Sequence, residues 1–287
     1  MRVRIEHQTV YKYDHSVYLN PTILRLTPRS DAFQRCLKRS LNITPTPSGL
    51  SSYYDACGNI AHTAWFTDAT MSLEIAAVME METSGENPFN YIVTDPGALV
   101  LPVKYKPGLK YLLQPSLGCL EVNKSRPGLD RIVKEETTAS YNNTLEFLSR
   151  FCNRLSLEVE HEIRETGEPL APEETLSRRK GACRDVAMVF IEGCRLVGIA
   201  ARFVSGYKCR KDKADIKYYM HAWAEVFLPG AGWRGYDPSI GLAVVDEHVP
   251  LAASPISSEV SPVDGSFRSD IPGVHSEMNV NVNITFL

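Results

Sequence analysis

The chain has 287 residues, a net charge of −3, and is 44% hydrophobic and 23% charged. These values are close to those of ordinary soluble globular proteins, with enough chain for one large core or two ordinary ones. The charge balance gives no electrostatic footprint for nucleic acid or an anionic membrane, and no apolar run reaches the roughly 18–20 residues of a membrane helix.

The N-terminus opens directly on a strand pattern: Val3, Ile5 and His7 alternate with Arg2, Arg4 and Glu6. It has no apolar h-region, so no secretory signal is expected and a cytoplasmic location is the default expectation. Short alternating runs punctuated by Pro, Gly, Asp and Asn recur up to about residue 130, among them TILRLTP, IAHTAWFT and LEIAAVMEME. That spacing predicts a β-rich domain over residues 1–130, a sandwich or barrel. Gly58 and Asn59 suit a turn that needs positive φ.

Residues 131–287 read as a second, α+β domain. Leu145, Leu148, Phe151, Cys152 and Leu155 recur at helical spacing. Pro169 and Pro172 interrupt the loop and short helix that follow. A further helix starts at Cys183, with Val186, Ala187, Val189, Phe190, Cys194 and Val197 on its apolar face and Gly198 as its stop. Residues 199–207 read as a strand, 208–217 as a charged, solvated loop, and 218–241 as a hairpin ending at Asp237-Pro238. A Ser- and Pro-rich tail precedes a last strand in strict alternation, NVNVNITFL.

Seven cysteines (Cys36, Cys57, Cys119, Cys152, Cys183, Cys194 and Cys209) are scattered, with no CxxC pair. That pattern argues against a disulfide framework or structural zinc. His7, His15, His62, His161, His248 and His275 lack metal-ligand spacing, and Asp212 and Asp215 lack a calcium-loop pattern. No metal or cofactor is expected.

Cys183 stands apart because of its position. A cysteine before a helix is usually an inert small hydrophobe. At a helix N-terminus, however, unpaired N–H groups and the dipole favour thiolate, and the Cys183 N–H is placed to serve as an oxyanion donor. Gly181 permits close backbone approach. Asp185 in the first turn suits the dipole, and we read it with Arg184 as support for the site. A nucleophilic cysteine also needs a base and a group that orients it. Alternation puts His221, Trp223, Glu225 and Phe227 on one strand face and Met220, Ala222, Ala224 and Val226 on the other. If Phe227 pairs with Trp233, His221 and Asp237 become diagonal neighbours on one face, and a one-residue slip separates them. Trp223 would either shield that pair from water or simply fill the core.

GACRDVAMVF, ARFVSGY and HAWAEVFLPGAGWRGYDPSIG, in this order, resemble the core of the transglutaminase-like superfamily. These are cysteine peptidases, amidases and acyltransferases on a papain-like α+β fold. The family's Cys, His and Asp fall on Cys183, His221 and Asp237. YKYDHSVYLNPTILRLTPR and YDACGNIAHTAWF resemble the β-rich N-terminal region of its bacterial members. The tail departs from the pattern: relatives often carry a Gly-Arg-Asp-Tyr-like motif where this chain has DGSFRSD at residues 264–270. The resemblance implies a Cys–His–Asp triad acting on a peptide, isopeptide or amide. Water as acceptor gives hydrolysis and an amine gives transglutamination. A fold that kept its shape and lost its chemistry would be a binding scaffold.

Overall fold

The computed structural model describes residues 1–85, 87–118, 125–209 and 220–287. The N-terminal alternation runs through one long strand, β1 (Arg2–Leu19), with Val3, Ile5 and His7 buried and Arg2 and Arg4 exposed. It is followed by β2 (Thr22–Leu24), β3 (Gln34–Thr44), β4 (Gly49–Tyr54), β5 (Ile60–Trp65) and β6 (Ala69–Thr83). β1 pairs antiparallel with β6, placing Val3 opposite Met81 and Ile5 opposite Met79, and β6 pairs in turn with β3. β2, β5 and β4 form a second antiparallel sheet.

The helices come next: α1 (Pro107–Leu117), α2 (Pro127–Ala139), α3 (Thr144–Glu158), α4 (Pro172–Arg178) and α5 (Cys183–Leu196). The stripe from Leu145 to Leu155 lies on α3, with Leu148, Phe151, Cys152 and Leu155 buried. The chain breaks before it because Tyr141 and Asn142 take positive φ (52° and 59°), and the Asn143 side chain caps the new helix by accepting the Glu146 N–H. Gly198 ends α5 at φ 77°, as expected. The Phe151 ring stacks between Phe147 and Phe190 and lies against Gly193 of α5, where an added Cβ would sit 2.5 Å from it. Helix propensity alone favours Gly193→Ala by about 1 kcal/mol. Because the ring is held on both faces, we expect overpacking to reverse the sign, with a loss of about 1–3 kcal/mol in urea unfolding.

α5 packs on a five-stranded antiparallel sheet of β9 (Ala201–Lys208), β10 (Met220–Leu228), β11 (Gly232–Asp237), β12 (Leu242–Ala243) and β13 (His248–Ser254), in the order β12-β11-β10-β9-β13. Ala222, Ala224 and Val226 face the helices in one core, as the alternation predicts. Met220 belongs to a different core. There β1 and β6 residues such as Ile5 and Met79 pack against Tyr207, Val249 and Leu251 of β9 and β13.

Packing and strand pairing cross the expected division after residue 130. Ala98, Leu101, Val103 and Leu113 already pack into the helical core. The last strand, β16 (Ser276–Phe286), returns to the N-terminal half and pairs along β1, Val3 with Phe286 through Tyr13 with Ser276. The physical reason is that β1 has two edges and β6 covers only one. The tail's 264–270 segment also belongs to that half: β14 (Val263–Asp264) pairs with β2 and β15 (Phe267–Arg268) pairs with Tyr18 and Leu19 of β1. No helix among the described residues is long and apolar enough to cross a membrane.

Candidate active site

Cys183 is the first residue of α5 and remains partly accessible. The chain reaches it through a two-residue strand, β8 (Lys180–Gly181), pairing parallel with β7 (Glu160–His161). Ala182 is extended and cannot cap the helix with its side chain, so Asp185 closes the start from the other side. Its Oδ2 accepts the Ala182 N–H at 2.8 Å, and its Oδ1 accepts the Leu170 N–H at 2.8 Å and the Arg164 guanidinium. A Cβ on Gly181 would lie 3.1 Å from both Asp185 Cβ and Thr175 Cγ2, so glycine allows this closure. Arg184 donates to the carbonyls of Arg164 (2.5 Å) and Thr166 (2.6 Å). Gly181, Arg184 and Asp185 thus fix the helix start that presents the thiol.

The hairpin has the parity required: Phe227 pairs with Trp233 and Ala224 with Tyr236. His221 Nε2 meets Asp237 Oδ2 at 2.7 Å. β11 pairs with β10 from Ala224 onward, which leaves that edge of β10 unpaired at residues 221–223. The Cys183 thiol sits at this edge, close enough to His221 and to the backbone N–H of Ala222 for both to favour its ionised form. Because Nε2 is engaged by Asp237, Nδ1 of His221 is the nitrogen that faces sulfur. The helix lies on the Ala222 side of the sheet and His221 on the other, so thiol and imidazole meet at the strand's edge.

The charges reinforce one another. Burial pushes the Cys183 thiol up, but the His221 charge and hydrogen bond, with the Ala222 N–H, outweigh it and leave the thiol below its ordinary range. Burial pushes His221 down, but the charges of Asp237 and Cys183 raise it to about 10. Burial also works against the Asp237 carboxylate, and His221 and His248 more than offset that and hold it well below the usual range. Cys183 and His221 therefore favour thiolate and imidazolium. Cys36, Cys152, Cys194 and Cys209 move the opposite way, pushed up by burial, Cys209 to about 12. Cys119, Asp212 and Asp215 lie outside the described residues.

The surroundings of Asp237 extend beyond the expected triad. Ser239 donates its N–H (3.1 Å) and hydroxyl (2.6 Å) to Oδ1, His248 Nε2 lies 3.1 Å from Oδ2, and Lys208 Nζ lies 3.8 Å from Oδ2. The Asp-Pro-Ser order carried a signal for the first of these, since Asp side chains commonly bond the backbone two residues on. Nothing local marked the others, because β13 reaches the site only through the sheet order β10-β9-β13. Lys208 corrects the solvated-loop reading: it ends β9 with 11% of its side chain exposed, and Cys209 beside it is fully buried. His221, Asp237 and His248 place ligand atoms within 4.8 Å of one another. The Lys208 ammonium, 3.8 Å from the Asp237 carboxylate, places a further positive charge beside this cluster.

Trp223 is 1% exposed, with its ring beside His221 (6.1 Å between centroids) and His248 (5.2 Å). It lines a cavity of about 470 Å³ together with His248, Arg29, Phe33, Arg202 and Trp233, whereas neither His221 nor Cys183 lines it.

Residues 131–238 match the transglutaminase-like superfamily, and residues 3–82 match the bacterial transglutaminase-like N-terminal region. An uncharacterized protein of Mycobacterium tuberculosis strain H37Rv is 26% identical over 295 residues, covering 99% of this chain and 92% of that one. One from Mycobacterium leprae is 22% identical over 273 residues, covering 93% of each. The crystal structure of a "putative cysteine protease" from Cytophaga hutchinsonii matches with a TM-score of 0.68 at 19% identity, covering 99% of this chain and 90% of that one. At that identity the likeness is one of fold.

Proposed function

We infer that this chain, which belongs through residues 131–238 to the transglutaminase-like superfamily, is an enzyme that hydrolyses a peptide, isopeptide or other carboxamide bond. The observation that carries this reading is the placement of Cys183 at the start of α5 beside His221, whose Nε2 meets Asp237 Oδ2 at 2.7 Å, so that thiol and imidazole shift in opposite directions. The Cys183 thiolate adds to the carbonyl carbon, and first-turn N–H groups, that of Cys183 included, stabilise the oxyanion. His221 gives its proton to the amine nitrogen as the C–N bond breaks, leaving a thioester. Water then attacks the thioester and loses a proton to His221. The C–S bond breaks, releasing the carboxylic acid and restoring the ion pair. Asp237 keeps the imidazole oriented and supports its charge throughout.

The ion pair exists between the Cys183 titration, below the ordinary thiol range, and the His221 titration near 10. Activity should fall in acid as Cys183 gains a proton and in alkali as His221 loses one. The test is product analysis on a panel of peptides and isopeptides, with and without added methylamine. Hydrolysis predicts a free acid and a free amine, with Cys183→Ala inactive. A dominant methylamide would reassign the chain as an acyltransferase, and substrate binding unchanged in Cys183→Ala with no turnover in either would make it a scaffold.

A further inference from the structure

His248 is a titratable group at the site that the mechanism does not use. His248 opens β13 and is 4% exposed, with its ring 6.0 Å from that of His221 and 5.2 Å from that of Trp223. Its Nε2 meets Asp237 Oδ2, the same oxygen that His221 Nε2 meets. One carboxylate oxygen thus lies between two imidazoles. Both contacts need a proton on nitrogen, because the carboxylate can only accept.

The two rings cannot behave alike. The charged groups facing His248 are Asp237 on β11, His221 on β10 and Lys208 on β9. The first favours a second imidazolium and the other two oppose it. Burial adds to that opposition and leaves His248 below its ordinary range, while His221 is raised. A neutral His248 bonded through Nε2 must carry its one proton there, leaving Nδ1 as a bare acceptor. That atom is buried and has no hydrogen-bond partner among the described residues. The geometry describes a neutral donor to the carboxylate oxygen that also meets His221.

Resting on the reading of Cys183, His221 and Asp237 as an acyl-transfer site, we propose that His248 is a positioning residue for it. Its Nε2–H holds the Asp237 carboxylate against His221 and so sets the pH at which Cys183 becomes a thiolate. Ser239 fixes the other carboxylate oxygen. Without His248, Oδ2 would keep Lys208, at 3.8 Å, as its partner beside His221, and water entering the space would screen the Asp237–His221 pair.

The test measures iodoacetamide labelling of Cys183 as a function of pH in the full chain, for wild type, His248→Ala and His248→Gln. It needs no substrate, so its outcome is separate from that of the product analysis. Losing a hydrogen bond to a charged group is expected to raise the labelling midpoint of His248→Ala by about one pH unit, a tenfold fall in thiolate at low pH. His248→Gln, whose amide N–H can replace the donor, should recover most of that shift. A His248→Ala midpoint equal to wild type would overturn the proposal, as would equal shifts in both variants, which would reduce His248 to packing. Should either variant fail to fold, nitrogen-15 histidine spectra of the wild type decide the matter. A neutral His248 protonated on Nε2 near pH 7 is expected, and a charged ring or the Nδ1–H tautomer would contradict it.

Discussion

His221→Ala should slow alkylation of Cys183 at pH 6 by about ten- to hundredfold, and it should move the labelling midpoint upward. Two effects set the size. An ordinary thiol with a pKa near 8.5 is about 0.3% ionised at pH 6, whereas an ion-paired one is largely ionised. A thiolate of lower pKa is intrinsically the weaker nucleophile, with a Brønsted slope of about 0.4–0.5, and this returns part of the gain. The midpoint therefore reports the ion pair more faithfully than the rate at any single pH. Without His221, the burial that already opposes ionisation of Cys183 meets only the Ala222 N–H. The variant's thiol should then titrate at or above the ordinary range. Asp237→Asn should move in the same direction, because an amide cannot support imidazolium.

Glu225→Gln should destabilise the fold by about 3–5 kcal/mol, measured as a lowered urea midpoint with an unchanged slope. Glu225 lies on the face of β10 that carries His221, and it is 7% exposed. Arg29, from the loop after β2, bonds one of its oxygens at 2.9 Å, and Arg202 of β9 bonds the other at 2.6 Å. Burial works against the Glu225 charge, and the two guanidinium groups reverse this and lower its pKa. A carboxylate with a depressed folded pKa contributes stability that is present above its unfolded pKa and is lost as pH falls through the folded value. The deficit of Glu225→Gln relative to wild type should therefore be full near neutrality and shrink in acid. A deficit independent of pH would mean that shape, rather than charge, joins the halves here. The effect should also reach the site, because Glu225 and Trp223 are neighbours on the same strand face and the Trp223 ring packs beside both imidazoles.

The parts of this site that were legible in the sequence are those set by local geometry. The helix start at Cys183 follows from its apolar periodicity and from Asp185 in the first turn. The meeting of His221 and Asp237 follows from hairpin parity, because side chains alternate with period two and the turn fixes the pairing. What escaped was set by sheet order and edges. His248 and Lys208 converge on Asp237 only because β13 and β9 lie side by side. Lys208 and Cys209 open a charge run and so read as loop, although a buried carboxylate holds one and the second core holds the other. The final strand read correctly as a strand and was placed in the wrong half, since periodicity names the element but not its partner. The residues from 96 to 117 were counted with the β-rich half because their apolar runs are too short to distinguish strand from helix.

The central claim is that Cys183 is an ionised nucleophile paired with His221. The most direct measurement is a brief iodoacetamide pulse on the folded wild-type protein across pH 4 to 9, with each cysteine quantified by mass spectrometry. The account predicts that Cys183 labels first and is already reactive at pH 6, while Cys152, Cys194 and Cys209 stay silent until the protein unfolds. A Cys183 midpoint at or above the ordinary thiol value of about 8.5, in a protein whose Cys183 labels readily at higher pH, would contradict it.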